Sequence, residues 1–208
     1  MKAYAQGQID FFCAIYAIIN GVRFAARDIR KFSYEESCEF YQIMMQYLYD
    51  RGEFLNVLHR GTEYALMDEL LAAADRYLSA KYNIRLLFAH PFRNRDLSLT
   101  RAYLFIRKYL SRPQTSCIIR LNNRAIGDHW SVIEKLDSPF FKLFDSYAYK
   151  GMDFKKSIWD DGNIPISKGT TRINKNGIIL IKAVSLATPP GIESERMSTQ
   201  RAPLLGAS

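Results

Sequence analysis

Cysteine and histidine are scarce in this chain, which has three of each among its 208 residues. The cysteines are odd in number and scattered, so they predict no disulfide framework. The sequence holds no Cys-x-x-Cys pair and no His-rich cluster, which are the patterns that bind structural zinc. We therefore expect no metal site, and each cysteine or histidine has to be judged by its own sequence context.

Long apolar runs are also missing. No run reaches the roughly 18 residues that a membrane span needs, and the N-terminus carries no apolar stretch with a cleavage site. These absences predict a soluble, cytoplasmic protein with no membrane partner, while secretion by a route without a classical signal stays open.

The chain lacks a dense block of one charge sign, although its net charge is +8. Lysine and arginine are spread along the whole sequence, which is typical of a solvated basic surface. Because no basic stripe or nucleic-acid-binding motif occurs, we expect no nucleic-acid partner. An acidic protein substrate is the next interpretation of this charge.

The length and the 48% hydrophobic content suit one domain with a substantial core. We assign that domain to residues 1–186. Residues 187–208 begin with a Pro-Pro-Gly turn and continue with small and polar residues that have no apolar period. This composition predicts a disordered C-terminal tail.

The first half of the chain has helical patterns and the second half has strand patterns. Ser33 and Glu36 predict a capping box, and Ser98 predicts a further helix cap. We predict helices at about 12–20, 34–50, 62–80 and 98–110, a loop at 57–61, and strands at 84–88, 116–121, 129–136, 140–144 and 178–184. Asn20-Gly21 is the predicted end of the first helix. This order predicts an α+β fold, with a helical N-terminal half packed on a mostly antiparallel C-terminal sheet.

Cys13 lies at the start of the first, mostly apolar helix. A thiol at a helix N-terminus faces unpaired backbone N–H groups and the positive end of the helix dipole, and both favour the nucleophilic thiolate. The alternative is a small buried core residue, which is also how we interpret Cys38 and Cys117. Gln8, five residues upstream of Cys13, could supply an amide donor for an oxyanion.

His129 and Asp145 follow far downstream, at the start of one strand and the end of the next. A hairpin with a turn at 137–139 would pair Leu136 with Phe140. Asp145 would then lie diagonally across from His129 on the same face, within side-chain reach. A shift of one residue in this pairing would turn Asp145 to the other face.

The order Gln, Cys, His, Asp, with the cysteine opening a buried helix and the histidine opening a strand, resembles the papain-like cysteine peptidases. The similarity covers the stretch from Gln6 to Asp145. It is greatest to small bacterial members that process bacteriocin leaders or act as secreted effectors. The resemblance implies a papain-like fold with a cleft between its halves, and no metal or organic cofactor. It implies Cys13 as the nucleophile, His129 as the base and Asp145 as the residue that orients the imidazole.

The same resemblance implies an oxyanion hole in which a glutamine amide joins the backbone N–H of Cys13. Gln8 is the first choice for that amide and Gln6 the second, because the family's usual spacing lies between the two. Trp130 could shield the histidine and aspartate from water and contribute to substrate binding, or could be an ordinary core residue.

From these residues we expect a thiol hydrolase that cleaves an amide or peptide bond through a thioester intermediate. Its partner would be a protein or peptide substrate, with acidic and ubiquitin-like proteins among the options. A glutamine deamidase or an acyl transferase could use the same triad. Ala14, where many relatives of papain carry Gly or Trp, favours a different class, a catalytically dead interaction module. The substrate and the oligomeric state are not predicted by the sequence.

Overall fold

A computed structural model describes residues 1–5, 11–137, 140–147, 149–160 and 167–186. The predicted tail at 187–208 lies outside the described residues. The described part forms five α-helices, α1 (Cys13–Ala25), α2 (Tyr34–Asp50), α3 (Phe54–Arg60), α4 (Tyr64–Tyr82) and α5 (Leu99–Leu110). None of these helices is long and apolar enough to cross a membrane.

Seven strands of the described residues form one sheet. They are β1 (Ile84–Ala89), β2 (Thr115–Asn123), β3 (Gly127–Asp137), β4 (Phe140–Phe144), β5 (Gly151–Asp153), β6 (Ser157–Trp159) and β7 (Thr171–Ser185). Their order is β1-β7-β2-β3-β4-β5, and β6 pairs with β7. Every pairing is antiparallel except that of β6 with β7. The α+β prediction is confirmed.

Two predicted helix starts are confirmed by their caps. The Ser33 hydroxyl accepts the N–H of Glu36 at 3.1 Å, while the Glu36 carboxylate accepts the N–H of Ser33 at 2.8 Å. Ser98 accepts the N–H of Arg101 at 3.4 Å. Such caps satisfy backbone donors that a helix leaves unpaired in its first turn, so short sequence patterns locate them well.

The predicted end of the first helix at Asn20-Gly21 is wrong, because α1 continues to Ala25. The side chain of Asn20 is buried and bonds the backbone of Tyr4, accepting its N–H at 3.0 Å and donating to its carbonyl at 3.4 Å. A Cβ on Gly21 would lie 3.4 Å from Ile118 of β2, which is ordinary contact, so this position packs against the sheet inside the helix. Both residues serve tertiary contacts instead of ending the helix.

Two further predictions needed correction. Residues 57–61 were expected to form a loop, but α3 occupies most of them and ends at Gly61, whose φ is 78°. A seven-residue helix with one buried side chain, Val57, is too short to show an apolar period. The last strand begins seven residues before the predicted position 178, because its polar first half lacks the apolar run that marks its second half.

The sheet carries a buried core on each face. On one face α1, α2 and α4 pack against alternate residues of the central strands, among them Ile118, Val132 and Ile181. On the other face α5 packs against Cys117, Ile119, Ile133 and their neighbours. α1 lies against β2 and β3, and its first residue, Cys13, interacts with His129 near the start of β3.

Candidate active site

Cys13 is the first residue of α1, and it is 6% exposed. The preceding residue, Phe12, caps the helix without a side-chain hydrogen bond, and its ring contacts that of Phe54 at 5.7 Å between centroids. The backbone N–H groups of a first helical turn have no acceptor within the helix. The thiol therefore lies beside backbone donors and the positive end of the helix dipole.

His129 is the third residue of β3, and its side chain is 1% exposed. Its Nε2 atom lies 2.7 Å from Oδ2 of Asp145. The Cys13 side chain also interacts with the imidazole and contributes to the raised pKa of His129. With Nε2 bonded to Asp145, Nδ1 is the ring nitrogen left for Cys13. The described structure thus brings Cys13, His129 and Asp145 into one chain of contacts, with the imidazole in the middle.

Asp145 follows the last residue of β4, and its side chain is fully buried. Oδ1 accepts the backbone N–H of Tyr147 at 2.7 Å and that of Tyr149 at 3.1 Å. The turn after β4 therefore wraps around one carboxylate oxygen and leaves the other for His129. A carboxylate with three hydrogen bonds holds its position and that of the imidazole.

A β-bulge sets this arrangement. At the turn, Leu136 pairs with Phe141 instead of the predicted Phe140, so the expected register is off by one there. The register then shifts between Lys135 and Ile133, and Val132 pairs with Phe144 as the predicted hairpin requires. The extra residue in β3 turns Asp145 back to the face of His129.

The charges of the buried pair support each other. Burial lowers the pKa of His129, but the hydrogen bond to Asp145 and the contact with Cys13 outweigh burial and raise this pKa to about 9. Burial raises the pKa of Asp145, and the hydrogen bond to His129 reverses this, so the carboxyl pKa lies below its ordinary value. At neutral pH the pair is an imidazolium and a carboxylate.

Tyr147, which the sequence analysis did not single out, covers the imidazole. Its ring stacks on that of His129 with centroids 5.1 Å apart and an angle of 21° between the planes. Trp130, for which shielding of the site and ordinary core packing were both open, is buried in the core on the helical face of the sheet. Its indole N–H donates to the Thr62 carbonyl at 3.1 Å. The ring that stacks on the imidazole is that of Tyr147.

The other candidate residues take separate places. Gln6 and Gln8, the two candidates for the oxyanion hole, lie outside the described residues. Cys117 is fully buried, and burial raises the pKa of its thiol. Cys38, which we predicted to be buried, is partly exposed on α2. The described residues contain no group of three or more His, Cys, Asp or Glu side chains arranged to hold a metal ion.

Comparison of the chain with models of known protein families and with curated protein sequences found no significant match. The geometry of Cys13, His129 and Asp145 is therefore the feature of this chain that points to a function.

Proposed function

We propose that this protein is a papain-like thiol hydrolase that cleaves an amide bond in a protein or peptide. The observation that supports the proposal best is the buried His129, which contacts Cys13 on one side and Asp145 at 2.7 Å on the other. A nucleophile beside a base, with the base oriented by a third group, is the arrangement needed for covalent acyl transfer.

In the first step the Cys13 thiolate attacks the carbonyl carbon of the scissile amide. An imidazolium next to sulfur stabilises the thiolate, because the charges are opposite and water is largely excluded. The backbone N–H of Cys13, the first donor of α1, is directed to the developing oxyanion. Gln8, or Gln6 in its place, would supply the second donor.

In the second step the C–N bond breaks, and the imidazolium of His129 gives its proton to the leaving amine. The acyl group remains on Cys13 as a thioester. Neutral His129 then takes a proton from water, and the hydroxide attacks the thioester carbonyl. The acid leaves, the sulfur departs as thiolate, and the imidazole is again protonated.

A deamidase or an acyl transferase would use the same first step and differ in the leaving group or in the acceptor. The dead-module alternative draws on Ala14, but it gives no reason for a buried imidazole held between a thiol and a carboxylate. A structural ion pair needs only two of these three groups. We therefore rank hydrolysis first.

The test is cleavage of a proteome-derived peptide library and of ubiquitin-like conjugates, read by mass spectrometry. We expect wild-type protein to generate new N-termini and Cys13→Ala to generate none, while Cys38→Ala, a matched control, stays active. A covalent acyl adduct on Cys13 in rapidly quenched samples would identify the thioester. Equal cleavage by wild type and Cys13→Ala, or none by either, would overturn the proposal.

A further inference from the structure

A polar cavity of about 250 Å³ opens at the start of β3, next to the residue that precedes His129. Its wall includes Asp128, the residue before His129, and Leu121, which pairs with His129 across β2 and β3. The N-terminal end of α4 forms the facing wall through Glu63 and Tyr64. The cavity therefore opens between the N-terminal end of α4 and the sheet. Its lining residues adjoin His129 along β3 and across β2, while Cys13, His129 and Asp145 themselves do not line it.

Arg120 forms the floor of this cavity and is held from several sides. Its Nε lies 3.0 Å from Oδ1 of Asp128, and its Nη1 lies 3.5 Å from Glu63. The guanidinium also covers the Tyr64 ring, 4.7 Å from the centroid. The cavity floor is thus a fixed ion pair supported by an aromatic ring.

The sheet is deformed to make room for this arginine. The pairing of β2 with β7 shifts between Ile119 and Leu121, so residues 174–177 of β7 bulge opposite Arg120. A Cβ on Gly177 would lie 2.4 Å from the Cβ of Arg120, so only a glycine fits there. Bulges of this kind often re-aim side chains beside functional sites.

The charges that remain accessible in the cavity are mainly negative. Arg120 and Arg172 are 14% and 17% exposed, and each is paired, Arg172 with Asp160 at 3.1 Å. Glu63 is 72% exposed and Asp128 is 47% exposed. The lining contains two arginines and three carboxylates, Glu63, Asp128 and Asp160, so it carries one excess negative charge. Glu63 has the longest ion pair of the three, 3.5 Å to Arg120, and is the most exposed.

We propose that this cavity is a substrate subsite that accepts a lysine or arginine side chain close to the scissile bond, an inference that rests on the proposed hydrolase function. Cavities for whole ligands measure about 300–1,000 Å³, so this smaller one suits a single side chain. A cationic side chain would meet Glu63 and the outer edge of Asp128. An acidic side chain would be repelled by the same carboxylates. Each arginine already has an aspartate partner, although the buried Nε of Arg172 has no acceptor among the described residues.

The experiment maps cleavage sites in the peptide library for wild type and Glu63→Lys. We expect Lys and Arg to be enriched at one fixed position relative to the cleaved bond in the wild-type data. A partly exposed ion pair changes a rate by about fivefold at most, so we expect enrichment of that order. Glu63→Lys should abolish the enrichment, which is measured as the ratio of cleaved peptides with and without a basic residue at that position.

Glu35→Lys is the matched control, because Glu35 is an exposed glutamate in the first turn of a helix and is not among the cavity residues. It should keep the enrichment. Cleavage by wild type without basic enrichment, or with enrichment that survives Glu63→Lys, would overturn the subsite and leave the hydrolase proposal standing. Absence of any Cys13-dependent cleavage would overturn both.

Discussion

At the scale of single residues, the carboxylate of Asp145 determines the proton positions of the whole site. One of its oxygens accepts two backbone N–H groups, and the other bonds Nε2 of His129. Because Nε2 is the ring atom bonded to the carboxylate, Nδ1 is the nitrogen that would exchange a proton with Cys13 in the proposed mechanism. The hydrogen bond to Asp145 thus fixes the orientation of the imidazole and favours the tautomer whose proton is on Nε2.

Asp145→Asn should lower kcat by roughly 10⁴-fold, as expected where a carboxylate fixes a catalytic imidazole. In the variant, the side-chain amide oxygen of the asparagine has to accept the N–H groups of Tyr147 and Tyr149, because an amide NH₂ group in that place would meet two donors. Its NH₂ then faces Nε2, so the proton of neutral His129 moves to Nδ1. That tautomer cannot take a proton from the thiol.

The measurement is kcat on the best library peptide, with circular dichroism to check folding. Asp153→Asn is a matched control, because Asp153 also accepts a backbone N–H, that of Lys155 at 2.9 Å, without a histidine partner. A loss below tenfold for Asp145→Asn, or an equal loss for the control, would return Asp145 to a purely structural role.

The His129–Asp145 pair also predicts how stability depends on pH. The folded-state pKa of His129 is raised from 6.5 to about 9, so its contribution is fully present below pH 6.5 and is lost as pH rises through 9. The shift corresponds to roughly 3 kcal/mol. Asp145 has a lowered pKa, so its contribution is present above its unfolded value of 3.8 and is lost in stronger acid.

Urea unfolding of wild type and Asp145→Asn across pH measures this dependence. The difference in free energy of unfolding should be largest between pH 3.8 and 6.5 and should shrink as pH passes 9. A difference that grows with pH through this range would mean that the imidazole is neutral in the folded protein.

At the scale of elements, two glycines bring parts of the chain close to each other in different ways. In α1, Gly21 faces Ile118 and Ile181 at distances of ordinary contact, 3.4 and 3.5 Å, so an added methyl group has room. In β7, Gly177 faces Arg120 so closely that an added methyl group has none. Gly21 therefore carries the conformational-entropy cost of a glycine in a helix although a larger residue would fit there. Gly177 is required, because a side chain at its position would clash with Arg120.

The same change should therefore have opposite effects at these two positions. Gly21→Ala should raise the free energy of unfolding by about 0.5–1 kcal/mol, the usual gain of alanine over glycine inside a helix. Gly177→Ala should lower it by about 1–3 kcal/mol, as overpacking does. Urea unfolding of both variants checks this, and a destabilised Gly21→Ala would mean that the contact with Ile118 and Ile181 has no room for a methyl group.

Local patterns predicted the elements that depend on neighbours in the chain, such as the capped starts of α2 and α5. They failed where distant contacts decide. Asn20 and Gly21 have the local pattern of a helix end, but their contacts with Tyr4 and the sheet place them inside α1. The bulge in β3 has no recognisable sequence pattern. The proximity of His129 and Asp145 was predicted from a register that is wrong at the turn and restored only by that bulge.

At the scale of the whole molecule, the site depends on how the helices pack on the sheet. Cys13 belongs to α1, while His129 and Asp145 belong to the sheet and the turn after β4, so no local segment holds the triad. Tyr64 at the start of α4 and Trp130 of β3 pack edge to face, 5.9 Å apart, and Arg120 of β2 covers Tyr64. The cavity lined by Arg120 and Tyr64 is therefore held by the same contacts that join α4 to the sheet.

The reactivity of the three cysteines tests the central claim most directly. Exposure alone predicts that partly exposed Cys38 reacts faster than Cys13, which is 6% exposed, and that buried Cys117 reacts slowest. If His129 activates Cys13, Cys13 must instead react faster than Cys38. The reagent is iodoacetamide at neutral pH, with mass spectrometry to follow each cysteine separately in the folded protein.

We predict that Cys13 is modified at least about tenfold faster than Cys38, because the thiolate is the reactive species. His129→Ala should remove this advantage while leaving the rate at Cys38 unchanged. Adding Asp145→Asn to His129→Ala should change little more, since residues that act as a unit are not additive. Modification of Cys38 before Cys13 in the wild type, or a fast Cys13 that persists in His129→Ala, would contradict the assignment of a catalytic thiol.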